Sequence, residues 1–202
     1  MNIGVLGGTF DPIHIGHLII AEEARLRLGL SQVLFVPAGE PWLKAPRIIA
    51  PGEHRLEMIR LAIASNRLFR ASTVDLERPG PSYTVDTLTD LKRELGEEAD
   101  FYFILGLDAL AEFSTWKEPE RIFEMCRLVA AKRPESRDLD MESLERSIPG
   151  ISRRVIILDN PQIGISSSEI RQRVAAGLSI TDLVPEAVER YIRERGLYKK
   201  EV

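Results

Sequence analysis

Two histidines three residues apart, His14 and His17, close the run Gly7-Gly8-Thr9-Phe10-Asp11-Pro12-Ile13-His14-Ile15-Gly16-His17. The run follows an apolar segment, Ile3-Gly4-Val5-Leu6, and precedes a stretch where Ile20, Ala21, Ala24 and Leu28 recur at helical spacing. A spacing of three is close to one helical turn, so both imidazoles can face one site, and Gly16 leaves room there for a base or ribose. His17 extends the apolar stripe to the N-terminal end of the helix, and the paired glycines let backbone amides approach a phosphate. These donors suit phosphoryl-type transfer, whose transition state spreads negative charge over oxygens and needs no covalent step.

The residues leave other readings open. A zinc site wants three or four ligands, and the chain holds only three histidines and one cysteine. Two purely structural histidines would leave the adjacent Gly-Gly-Thr turn without a purpose. A dinucleotide-binding dehydrogenase also places glycines after its first strand, but Gly4, Gly7 and Gly8 miss the G-x-G-x-x-G spacing, and the second strand ends Phe35-Val36-Pro37 with no acidic residue for a ribose.

Positioning these groups requires a regular frame. Short β-rich segments at 2–6, 32–36, 69–76, 100–105, 127–132 and 153–158 alternate with helical stretches. Several strands are apolar throughout, as expected when helices cover both faces of a parallel sheet. Val85, Leu88, Leu91 and Leu95 recur at helical spacing, with Ser82 or Thr84 placed to cap the start and Gly96 the end. Further helices are predicted over about 53–65, 167–176 and 185–195. The expectation is one α/β domain over 1–202, a Rossmann-like open, mostly parallel sheet with helices on both faces. Its ligand crevice lies at the carboxyl ends of the strands. The polar, acid-rich stretch 137–150 reads as a solvated connector.

A net charge of −4 gives no general attraction for nucleic acid or an anionic membrane, so an anionic substrate must be held by local groups. No apolar run reaches the roughly 20 residues a membrane helix needs. The chain opens without a basic segment or cleavable hydrophobic stretch, which points to the cytoplasm. Cys126, the one cysteine, reads as a buried core thiol. These features fit a monomer or a homo-oligomer.

His14-Ile15-Gly16-His17 resembles the H-x-G-H signature shared by nucleotidyltransferases and class I aminoacyl-tRNA synthetases. The chain lacks the second signature loop and the tRNA-binding domain of a synthetase. Ile165-Ser166-Ser167-Ser168-Glu169-Ile170-Arg171 instead resembles the I-S-S-T/S-x-I-R element of bacterial nucleotidyltransferases, which contacts the triphosphate of ATP. Amides and hydroxyls at a helix N-terminus form an anion site, and Arg171 adds a charge-assisted donor. A capping box of Ser166 with Glu169, worth about 1 kcal/mol, leaves Ser167, Ser168 and Arg171 unassigned.

From residue 3 to about 193 the chain resembles bacterial nicotinate mononucleotide adenylyltransferases. The likeness rests on the glycine-rich run, Pro37-Ala38-Gly39, Arg78-Pro79-Gly80-Pro81-Ser82-Tyr83-Thr84-Val85-Asp86-Thr87-Leu88, Phe103-Ile104-Leu105-Gly106-Leu107-Asp108, Trp116-Lys117 and the serine-arginine element. It implies transfer of AMP from ATP to nicotinic acid mononucleotide, with His14, His17 and Arg171 catalytic and Mg2+ carried by ATP. Gly7, Gly8, Thr9, Phe10, His17, Gly106, Asp108, Ile165, Ser166, Ser167, Ser168 and Arg171 are expected on ATP, and Thr9, Lys44, Tyr83, Thr84 and Trp116 on the acceptor. Trp116 would stack on the nicotinate ring, and the helix starting near Ser82-Tyr83-Thr84 would aim amides at its carboxylate. Where the family carries Pro-His-Lys, this chain reads Pro41-Trp42-Leu43-Lys44. The alternatives are nicotinamide mononucleotide or phosphopantetheine as acceptor, or a nucleotide sensor without chemistry; the stretch from Arg78 to Leu88 argues against phosphopantetheine, and both histidines with Arg171 against the sensor.

Overall fold

The computed structural model describes residues 1–41, 49–132, 139–158 and 164–199. In chain order these form β1 (Asn2–Gly8), α1 (Ile15–Leu28), β2 (Gln32–Pro37), α2 (Gly52–Ile63), β3 (Phe69–Ala71), α3 (Val74–Glu77), α4 (Thr84–Leu95), β4 (Asp100–Gly106), α5 (Leu107–Ala111), α6 (Pro119–Met125), β5 (Cys126–Ala131), α7 (Met141–Ser147), β6 (Val155–Leu158), α8 (Ser167–Ala175) and α9 (Glu186–Arg195). The strands make one sheet in the order β3-β2-β1-β4-β5-β6. Every described pairing is parallel, with Val5 opposite Leu34 on one side and Phe103 on the other. The chain winds outward from β1 to β3, then crosses back to β4 and winds the other way. The order reverses between β1 and β4, which is where a doubly wound sheet opens a crevice.

Alternation along the strands sorts their side chains to two cores. Ile3, Val5, Leu34, Val36, Phe101, Phe103 and Leu105 pack on one face against Val85, Leu88 and Leu91 of α4 and Ile122 of α6. Leu6, Val33, Phe35 and Ile104 face the other way, onto Ala21 and Ala24 of α1, Met58 and Ile59 of α2, and Val188 and Ile192 of α9. Each buried Leu or Ile contributes on the order of 2 kcal/mol, so the two layers fix the sheet against both helix sets. Of the stripe expected on α4, Leu95 is half-exposed beyond the core. Cys126 is the buried thiol expected; burial pushes it up to about 12, leaving it neutral.

Two expectations need correction. The strand foreseen over 69–76 ends at Ala71, and Val74–Glu77 turns helical instead. The turn places Asp75 three residues from Arg78, at 2.6 Å, a contact that an extended strand would pull apart. The stretch 137–150 is more than a connector, because it contains α7, capped by the Asp140 carboxylate on the Ser143 amide at 2.9 Å. Leu144, Ile148 and Ile151 lock it into the first core. The Glu145 carboxylate accepts from the Gly150 and Ser152 amides, and these bonds hold it below the usual carboxylate range. Its polar composition concealed two apolar anchors, Leu144 and Ile148, with Ile151 next beyond it.

Candidate active site

A crevice of about 450 Å³ opens at the carboxyl ends of β1 and β4. Its wall brings together Gly7, Gly8, Thr9, Phe10, His14, His17, Thr84, Gly106, Trp116, Ser166, Ser167, Ser168 and Arg171, drawn from sequence positions more than 160 residues apart. Tyr83, Asp108 and Ile165 do not line it. Asp108 is exposed between the crevice residues Gly106 and Ala109. Lys44 and Trp42 lie outside the described residues.

At one end of the crevice, His14 caps α1 and His17 sits in its first turn. The imidazoles stack with centroids 3.7 Å apart and planes 25° apart, and the Phe10 ring meets His17 edge-on at 5.0 Å. The His14 amide donates to His17 Nδ1 at 3.2 Å. An accepting Nδ1 leaves the ring proton of neutral His17 on Nε2, where it serves as a directed donor. Helix geometry, backbone bonding and aromatic packing thus fix both the position and the tautomer of one imidazole.

The start of α8 closes the same end. Ser166 Oγ accepts from the Glu169 amide at 3.1 Å, the serine half of the expected capping box. Ser167 Oγ donates to the Pro12 carbonyl at 2.9 Å, and Arg171 donates to the Asp11 carbonyl at 2.6 Å and to Ser168 Oγ at 3.2 Å. The helix N-terminus is thereby fastened to the glycine-rich turn. With five N–H groups, Arg171 keeps donors beyond those two bonds.

The other end is framed by α4. Its first residue is Thr84, and Ser82 does not cap it: the Ser82 hydroxyl instead accepts from the Gly39 amide at 2.8 Å. The amides of Asp86 and Thr87 bond to the Tyr83 carbonyl, whereas those of Thr84 and Val85 have no acceptor among the described residues. Donors at the positive end of a 12-residue helix favour negative charge beside them. Trp116 stands nearby, held edge-on by Phe103 at 6.1 Å and tilted on Phe113 at 5.3 Å. A side chain on Gly106 would meet nothing within 4 Å, so this part of the crevice wall is open, whereas a Cβ on Gly39 would strike the Asp75 carbonyl at 2.3 Å.

Sequence reasoning missed two buried polar groups. Arg55, 2% exposed, donates to the carbonyls of Ala50 and Thr9, both at 2.9 Å. Its signal was an arginine on the stripe it shares with Met58, Ile59 and Ile63. Burial draws it below its ordinary value, an effect the Asp11 charge opposes. Asp75 lines the crevice and accepts from Thr87 Oγ1 and Arg78. Burial pushes Asp75 up, and the bonds from Thr87 and Arg78 work against that.

Residues 5–173 match the cytidylyltransferase-like family model. A relative from Roseiflexus sp., named probable nicotinate-nucleotide adenylyltransferase, is 48% identical over 98% of each chain. One of the same name from Dehalococcoides mccartyi is 44% identical over all of this chain and 98% of its own. The fold is shared with Plasmodium falciparum nicotinic acid mononucleotide adenylyltransferase complexed with NaAD, at a TM-score of 0.78 and 24% identity, covering 98% of this chain and 97% of that one. The sheet order, the histidine pair, the serine-arginine helix start and these likenesses agree: the chain belongs to the cytidylyltransferase-like family and, within it, to the nicotinate-nucleotide adenylyltransferases.

Proposed function

We propose that the chain transfers AMP from ATP to nicotinic acid mononucleotide, forming deamido-NAD and pyrophosphate. The observation that carries this is the meeting, in one crevice, of the α4 and α8 helix starts with the histidine pair at one end and Trp116 at the other. In this reading the acceptor phosphate attacks the α-phosphorus in line. The new P–O bond forms as the bond to pyrophosphate breaks, and the electron pair leaves with pyrophosphate. His17 Nε2 and His14 stabilise charge on the α-phosphate, while Ser166, Ser167, Ser168 and Arg171 take the leaving group. Gly7, Gly8, Thr9 and Phe10 shape the phosphate turn, Gly106 admits the adenosine, and Asp108 and Ile165 serve at its edges.

On the acceptor side, Trp116 stacks on the pyridine ring. The Thr84 and Val85 amides receive its carboxylate, with Tyr83 and Thr9 alongside and Lys44 on phosphate. A carboxamide would set its own N–H groups against donors, so the acid is favoured by a few kcal/mol, on the order of a hundredfold. Among the described residues no three His, Cys, Asp or Glu side chains converge as a cation cage. In this reading magnesium arrives with ATP, held chiefly by the triphosphate, whose charge it would neutralise.

Direct transfer makes a measurable claim. Labelled pyrophosphate should exchange into ATP only when acceptor or dinucleotide is present, and chelating magnesium should abolish the exchange. Exchange with ATP alone would mean an adenylylated enzyme and would contradict the in-line reading.

A further inference from the structure

In the wall at the phosphate end of the crevice, one carboxylate gathers three distant parts of the chain. Asp11, 3% exposed, accepts at Oδ1 from the Tyr198 hydroxyl at 2.7 Å and from the Ala50 amide at 3.2 Å. Its Oδ2 stands 3.7 Å from Arg171 Nη1, too long for a good hydrogen bond. The same guanidinium nitrogen bonds at 2.6 Å to the Asp11 main-chain carbonyl instead. Arg171 is therefore kept beside a buried carboxylate without being captured by it. Arg55, the other cation near Asp11 among the described residues, is held by the carbonyls of Thr9 and Ala50.

We propose that Tyr198 is a positioning residue for adenylyl transfer: by occupying Oδ1 of Asp11, its hydroxyl keeps that carboxylate from closing on Arg171, whose guanidinium stays aimed at the leaving pyrophosphate. The inference rests on the reaction assigned above. A buried carboxylate that loses a donor turns to the nearest cation, because an unsatisfied charge in a poorly solvated site is costly. Among the described residues that cation is Arg171, and the turn would convert a 3.7 Å separation into a direct ion pair that takes guanidinium donors away from the leaving group. Burial and the Asp11 charge push the Tyr198 phenol well above its ordinary value, so it remains a donor throughout the neutral range. Tyr198 also anchors its segment, packing with Leu197 against the second core, which allows the two roles to be separated.

The test is a double-mutant cycle on the full chain with ATP, magnesium and nicotinic acid mononucleotide. Failure of the unaltered protein to form dinucleotide would count against the assigned reaction, and everything after it bears on Tyr198 alone. Tyr198→Phe is expected to lower kcat about tenfold, the loss of one hydrogen bond to a charged group, with the acceptor KM changed by less than about twofold. In an Arg171→Lys background the same substitution should change kcat by less than about twofold, since the group it acts through is gone. Leu197→Ala, assayed well below its own unfolding midpoint, should lower Tm and leave kcat unchanged. An undiminished kcat in Tyr198→Phe, an equal loss in both backgrounds, or the same loss from Leu197→Ala would each overturn the proposal.

Discussion

Replacing His17 with alanine should lower turnover by about 10²–10³-fold, the usual consequence of deleting one preorganised donor from a transition-state site. The ring lies in the first turn of α1, half-buried, so the change removes its contacts with the Phe10 and His14 rings but no side chain of the two cores. What disappears is the Nε2–H fixed by the bond from the His14 amide to Nδ1. Ground-state ATP binding is expected to weaken by no more than a few fold, because the charge that Nε2 meets develops mainly during transfer. His17→Asn sharpens the test. Its side-chain oxygen can still accept from the His14 amide, so Tm should hold while kcat falls nearly as far. Near-normal kcat in either variant would remove His17 from the reaction.

Trp116→Ala should raise the acceptor KM by roughly 10–100-fold while changing the ATP KM by less than about threefold. Stacking on a flat heterocycle is worth about 1–3 kcal/mol, and Trp116 lines the crevice together with Thr84 of the α4 helix start. Phe103 and Phe113 fix its plane, so the ring is already in place when the ligand arrives. The substitution also leaves a gap against those two rings, and Tm is expected to fall. Trp116→Phe should recover most of the stability and part of the affinity. Equal losses for both substrates would make Trp116 a packing residue only.

The parts of the fold read from sequence were those governed by local pattern. Apolar strands between helical stripes gave a covered parallel sheet, and the stripe Val85, Leu88 and Leu91 gave α4. The histidine spacing and the serine-arginine element were legible because each chemical unit is contiguous. Long-range polar pairing was not. Ser82 reads as a cap, but Gly39, 43 residues earlier, takes its oxygen. Asp75 lies in a β-like stretch, but the bond it accepts from Thr87, 12 positions on, draws it into the helical turn that also pairs it with Arg78. Tyr198 carries no sequence signal at all, since its partner Asp11 is 187 positions away. The stretch 137–150 misled for a different reason: Asp140 and Glu145 look like solvated charge, yet they serve as caps on a segment pinned by Leu144, Ile148 and Ile151.

The central claim is that this crevice joins ATP to the acid form of a pyridine mononucleotide. The most direct measurement incubates the purified protein with ATP, magnesium and, in separate reactions, nicotinic acid mononucleotide, nicotinamide mononucleotide or phosphopantetheine, and identifies products by mass spectrometry. Fastest formation of deamido-NAD with one pyrophosphate per dinucleotide is the predicted result. Faster reaction with either other acceptor would contradict the roles given to Thr84 and Trp116, and no dinucleotide with any acceptor would contradict the reaction itself.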